Sequence, residues 1–141
     1  MPKPSAYKYE LPPDTGNVKD LLDIWSTEIL GTQVQIVRSG GETNMHAHNG
    51  VDSAWFVLDG RAAFYDEDDR RFEIGKNEMF ALPSGTKYWF ESISDEPLQV
   101  LHITARDPRT TPTRTDVTPL PERVGRIPHL KAEPLEPVEA G

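Results

Sequence analysis

His46-Ala47-His48 places two imidazoles at positions i and i+2. In a β-strand such residues share one face, so both rings reach toward one point and form half of a metal site or of an acid–base site. The chain has no cysteine. Thiolate nucleophiles, disulfides and cysteine-based zinc sites are therefore excluded, and any metal must be held by nitrogen and oxygen. A third histidine of the strand region, His102, stands in the apolar run Leu98 to Thr104.

Holding that pair requires a sheet, and the chain is patterned to build one. Short segments of β-prone residues cover Gln33 to Arg38, Ala54 to Leu58, Ala62 to Tyr65, Arg71 to Ile74, Glu78 to Leu82, Tyr88 to Glu91 and Leu98 to Thr104. Turn signals separate them, among them Ser39-Gly40-Gly41, Asn49-Gly50, Asp59-Gly60, Gly75-Lys76-Asn77 and Pro83-Ser84-Gly85. The acidic run Asp66 to Asp69 reads as one more solvated hairpin turn. Strands recurring about every ten residues point to a sandwich or a barrel. Strand alternation sends about half of the many aromatic side chains, Trp55 among the candidates, inward, which predicts an apolar, aromatic pocket with a few polar groups such as Gln33, Gln35 and Tyr88.

The two ends read differently. Val18, Leu21, Leu22 and Trp25 fall at i, i+3, i+4 and i+7 behind Asn17 as an N-cap, so the spacing predicts one short helix in an N-terminal arm over 1–27. The compact domain is expected over 28–106. Seven of the 13 prolines fall in 107–141, where apolar residues show no period. That tail is expected to be disordered or to lie as an extended arm on its own domain or on a partner, and to be dispensable for folding. Its His129 is not expected to be a ligand.

Charge narrows the function further. Lys and Arg number 15 against 23 Asp and Glu, a net charge of -8, with no basic stripe to neutralise a run of phosphates. Nucleic acid is not an expected partner. No apolar run approaches the roughly 18 residues of a membrane span, so no membrane partner and a cytoplasmic location are expected.

Gly40 precedes His46 with five residues between them, and Trp55-Phe56-Val57-Leu58 leads into Gly60. This stretch resembles the first motif of the cupin superfamily, and Pro83-Ser84-Gly85 followed by an aromatic strand resembles the second. The resemblance covers about residues 30 to 106 and implies an all-β, double-stranded antiparallel jelly-roll barrel, a metal at the barrel mouth and often a homodimer. In that family the first motif supplies two histidines and a glutamate, and the second a further histidine. Here the glutamate position is Ser53, the later histidine position is Tyr88, and the asparagine position is Ser92.

Two residues stand ready to complete the set. Asp52, beside Ser53, would supply an oxygen if the turn after His48 slips by one residue. His102 would supply a third imidazole; otherwise it is a core histidine satisfied by a carbonyl or a hydroxyl. A site of His46, His48 and His102 suits Fe(II), Ni(II), Zn(II) or Cu(II), with open positions for substrate or O2. The expected function is a metal-dependent enzyme acting on a small organic molecule as an oxygenase, lyase or isomerase. Tyr88 is its candidate acid, base or hydrogen-bond donor, and Gln33, Gln35 and Trp55 line its substrate pocket. The alternatives are a binding module without catalysis, or a metal-free cupin in which His46, His48 and Tyr88 carry out acid–base chemistry directly.

Overall fold

The computed structural model describes residues 2–121, 127 and 129–138. They form a jelly-roll β sandwich of thirteen strands, with no helix among the described residues. One sheet has six strands: β12 (His129–Lys131), β2 (Lys19–Ser26), β3 (Leu30–Val37), β10 (Leu98–Arg106), β5 (Val51–Asp59) and β8 (Met79–Leu82), in that order. The other has five: β11 (Thr113–Asp116), β4 (His46–Asn49), β9 (Lys87–Ser92), β6 (Ala62–Asp66) and β7 (Arg71–Ile74). Strands β1 (Ala6–Lys8) and β13 (Glu133–Leu135) pair with each other. No helix is long and apolar enough to cross a membrane among the described residues.

Period-two alternation explains what fills the sandwich. On β5, Ser53, Trp55 and Val57 are buried, while their neighbours Asp52, Ala54, Phe56 and Leu58 are more exposed. The register sets His102 opposite Trp55 and Val100 opposite Val57 on β10, and Gln33 and Gln35 beside them on β3. From the facing sheet come His46, Tyr88, Phe90 and Phe64. One end of the interior is thus apolar, packed from Val57, Phe64, Phe80, Phe90, Leu98 and Val100. The other end is polar, and it opens.

The helix expected over 18–25 is instead strand β2, paired antiparallel with β3 from Lys19 opposite Val37 to Ser26 opposite Gly31. The apolar residues fit both periods because this strand is covered on both sides. Leu22 packs outward with Val34, Ile36 and Leu130, so apolar side chains do not alternate strictly with polar ones. Asp20, fully buried, is held by Arg38 at 2.9 Å and by the Thr15 hydroxyl, a tertiary pairing invisible to local propensity.

The described part of the tail is an extended arm on its own domain. β11 pairs antiparallel with β4, β12 pairs parallel with β2, and β13 pairs with β1. All three are edge or peripheral strands, where a proline costs no ladder hydrogen bond. Residues 122–126, 128 and 139–141 lie outside the described residues.

The motif glycines have a backbone role. Gly60 has φ +80°, and a Cβ there would stand 2.9 Å from both Leu98 Cα and Pro97 O. Gly60→Ala is therefore expected to cost at least about 1–2 kcal/mol from the left-handed backbone alone. A urea denaturation series should show this as a lower midpoint at unchanged slope, and a midpoint equal to the parent's would contradict it.

Candidate active site

Three strands of one sheet bring the first group together. The register places His46 beside Tyr88 on β9 and beside Asp116 on β11, with His48 beside Arg114. The His46 and His48 rings meet edge to face at 4.9 Å, and Tyr88 lies 4.6 Å from His46 and 6.3 Å from His48 between ring centroids. His46 Nδ1 is 2.7 Å from the Asn44 carbonyl oxygen. A carbonyl only accepts, so Nδ1 carries the proton and Nε2 keeps its lone pair.

The facing sheet supplies the rest. The His102 ring stacks on Trp55 at 3.5 Å and 6°, and its Nε2 is 3.1 Å from the Ser53 hydroxyl. On β3 the Gln35 amide donates to Gln33 Oε1 at 3.2 Å, and Gln33 donates to Asp23 Oδ1 at 2.8 Å. The second Asp23 oxygen lies 2.7 Å from His129 Nδ1. His129 makes that contact at the cavity rim.

Between the sheets lies a cavity of about 430 Å³. Its walls hold His46, His48, His102 and Tyr88, together with Trp55, Gln33 and Gln35. They also hold Lys19, Asn44 and Arg114, which sequence reasoning missed. Lys19 was hidden inside a helical pattern and Arg114 inside the tail. The one available signal was the alternation Thr113-Arg114-Thr115-Asp116, which is β-prone and charged on one face.

Burial sets the protonation of these groups. It pushes His46 down to about 4 and His102 down to about 3, and it lowers His48, where the Arg114 charge adds to the effect. Burial raises the Tyr88 phenol above its ordinary value. At neutral pH the cavity therefore presents neutral imidazoles and a protonated phenol.

Asp52 is not among these walls. Strand alternation turns it to the opposite side from Ser53, where it is exposed and its Oδ1 accepts the Ser84 backbone N–H at 2.8 Å. No one-residue slip occurs after His48, so Asp52 anchors a loop and does not face His46 and His48. Asp52→Asn is expected to cost no more than about 0.5–1.5 kcal/mol, as for one hydrogen bond. Thermal melts should show this small change while ligand binding stays at the parent's level, and a lost ligand would contradict the placement.

The expected metal ligand set is not assembled. Among the described residues no group of three or more His, Asp or Glu side chains is placed to hold an ion. His46 and His48 remain a pair: the glutamate position is a serine whose hydroxyl meets His102, and the second-motif histidine position is Tyr88. The donor set present does not fit Fe(II), Ni(II), Zn(II) or Cu(II) held by three protein ligands.

A family model described as the Cupin domain matches residues 33–104, just over half of the chain. The uncharacterized protein MJ1618 of Methanocaldococcus jannaschii is 30% identical over 66 residues, covering 47% of this chain and 52% of the relative. The chain spans about half the length of that relative. A solved RmlC-like cupin family protein with a double-stranded β-helix fold, also from Methanocaldococcus jannaschii, superposes with a TM-score of 0.61 at 15% identity, over 74% of this chain and 92% of that one. The DMSP lyase DddQ of Ruegeria pomeroyi gives a TM-score of 0.58 at 19% identity, over 86% of this chain and 64% of that one. Both likenesses are of fold. With the family model spanning β3 to β10 and both glycine-bounded motifs in place, the chain belongs to the cupin superfamily.

Proposed function

We propose that the protein is a small-molecule enzyme that works by proton transfer, catalysing an isomerisation or an elimination with its own side chains. The observation that carries this reading is the placement of His48 and Tyr88 on one cavity, 6.3 Å apart between ring centroids. A base and an acid thus line the same cavity, into which a substrate carbonyl and the carbon beside it would be bound. His48 is only half-buried and so is the imidazole best able to accept a proton from carbon next to a carbonyl. The electron pair then moves to the carbonyl oxygen, where the Tyr88 hydroxyl donates a hydrogen bond to the developing oxyanion. Where that carbon bears a hydroxyl, passage of the hydroxyl proton to the former carbonyl oxygen and return of the abstracted proton to the former carbonyl carbon complete an isomerisation; departure of a β-substituent with its bonding electron pair completes an elimination. His46, with its tautomer held by Asn44, accepts a hydrogen bond through Nε2 and orients the substrate. A lyase is among the proteins that share the fold, which is compatible with elimination chemistry on this barrel. A homodimer belongs to the same proposal and is read by sedimentation velocity.

Hydrogen exchange tests the chemistry without a known product. Wild type incubated in D2O with a panel of small hydroxy acids and hydroxy ketones should wash deuterium into the carbon beside the carbonyl, followed by proton NMR. Tyr88→Phe and His48→Gln should each slow this by about 10²- to 10⁴-fold while keeping a cooperative melt. Exchange that survives both substitutions would end the proposal. Elemental analysis of tag-free protein is the second arm: substoichiometric metal is expected, and a full equivalent lost in His46→Ala would restore metal chemistry.

A further inference from the structure

Resting on that reading of the cavity, we propose that its substrate carries a hydroxyl group that donates a hydrogen bond to Gln35 Oε1, and that Asp23 is the positioning residue that fixes Gln35 as an acceptor. The first observation is a buried polar atom. Gln35 is 7% exposed and lines the cavity, and its Oε1 has no hydrogen-bond partner among the described residues. Leaving a buried carbonyl unpaired costs more than an average hydrogen bond gains, and native interiors pair nearly all such atoms. The partner of this one therefore comes from what enters the cavity, whose volume of about 430 Å³ suits a compact molecule. Trp55 Nε1, on a side chain 1% exposed, is the second unpaired atom on the same walls. Its N–H calls for an acceptor. A hydroxyl both donates and accepts, whereas an ammonium only donates and a carbonyl or an ether only accepts.

The second observation is what holds the amide. Amide oxygen and nitrogen are alike in shape, so a glutamine standing alone presents either one to a ligand. Gln35 does not stand alone. Gln33 and Gln35, two apart on β3, share a face, and the register sets Asp23 of β2 opposite Gln33. An ionised carboxylate only accepts, so Gln33 turns its NH2 to Asp23 Oδ1 at 2.8 Å and its own Oε1 toward Gln35. Gln35 meets that oxygen with its NH2 at 3.2 Å, and its Oε1 is left as the free end of the chain. The other Asp23 oxygen takes His129 Nδ1, on β12, at 2.7 Å. Burial works against the Asp23 charge, but the bonds with Gln33 and His129 outweigh it and hold the carboxyl below its ordinary value. A carboxylate at the cavity rim thus sets the polarity of both amides, and the group that completes the chain must be a donor.

Ligand-observed NMR titrations of the full-length protein test this with three uncharged ketones, so that the charges around the cavity do not enter the ranking. Hydroxyacetone carries the hydroxyl, methoxyacetone keeps the oxygen without its proton, and butanone has a methyl group in its place. Hydroxyacetone should bind at least about tenfold more tightly than either. In Gln35→Met it should fall to the level of butanone. Asp23→Asn is the sharper variant, because a carboxamide donates as well as accepts and lets both glutamines turn over. There the preference for hydroxyacetone over methoxyacetone should shrink to about threefold or less. A merely structural loss at Asp23 would weaken all three ketones together and leave their ratio unchanged, which would overturn the positioning role. Should that variant fail to fold, wild type still decides: methoxyacetone binding well above butanone would mean that the Gln35 amide turns to donate, against the proposal. Butanone matching hydroxyacetone on wild type would show that solvent serves Gln35 Oε1 and would overturn the hydroxyl, as would binding of none of the three. Binding is read here without turnover. Deuterium exchange lost while this ranking holds would sink only the proton-transfer reading, and exchange that persists without the ranking would sink only the role of Gln35.

Discussion

Lowering the pH from 6.5 toward 4 is expected to destabilise the protein steeply, well before its carboxylates titrate. Burial holds His46 at about 4 and His102 at about 3 in the folded chain, and it lowers His48 as well. In the unfolded chain these imidazoles titrate near 6.5. Between those values the unfolded state binds more protons, so stability rises with pH and falls as acid is added, by up to about 1.4 kcal/mol per pH unit for each group. The loss begins at about 6.5 and ends near 4 for His46 and near 3 for His102. Above pH 7 all three are neutral in both states and contribute no slope. Urea midpoints taken at half-unit steps from pH 7.5 to 4.5 should trace this curve. Replacing His102 with Gln should remove about one proton from the linkage, and an unchanged slope in that variant would show that His102 is not held neutral by burial.

Trp55→Ala carries the other large effect, about 3–5 kcal/mol, the usual cost of truncating a buried aromatic. Trp55 is 1% exposed, stacks on His102, and lies 5.0 Å from Phe90, 5.8 Å from Phe64 and 6.0 Å from Tyr88 between centroids. Its loss would open the wall between the apolar core and the polar cavity. Against a typical total stability of about 5–15 kcal/mol, the variant would melt far lower or be partly unfolded at 37 °C. The same substitution should let water reach His102, and its titration by NMR should move up toward 6.5. Trp55→Phe keeps a ring in place and should lose less than half as much. A loss under about 1 kcal/mol in Trp55→Ala, with His102 unmoved, would show that the stack does not organise the site.

Much of the sandwich was legible because its strands alternate. Trp55 and Val57 on one side, with Ala54 and Phe56 on the other, carry a period of two that no helix produces. Where both faces are covered, the pattern fades: β2 has Leu21 and Leu22 on opposite sides, so its apolar residues fit a helical period as well as a strand's. The tail shows the complementary difficulty. Its prolines argued against a sheet, yet edge positions tolerate them, and the arm that results carries Arg114 to the cavity wall and Leu130 to Leu22.

At the site, the amino-acid sequence by itself determined that His46 and His48 share a face, that no thiolate takes part, and that serine and tyrosine stand where ligands would be expected. Those are consequences of covalent order and of a two-residue strand period, and they need no partner strand. Only the tertiary structure decided that Asp52 turns away while His102 turns inward, since that depends on which side of β5 and β10 faces the second sheet. It alone brought Lys19 and Arg114, 95 residues apart, to one cavity. Burial, which makes His46, His48 and His102 neutral and leaves Gln35 Oε1 and Trp55 Nε1 without a partner among the described residues, is a property of packed neighbours from distant parts of the chain, and no local stretch of sequence encodes it.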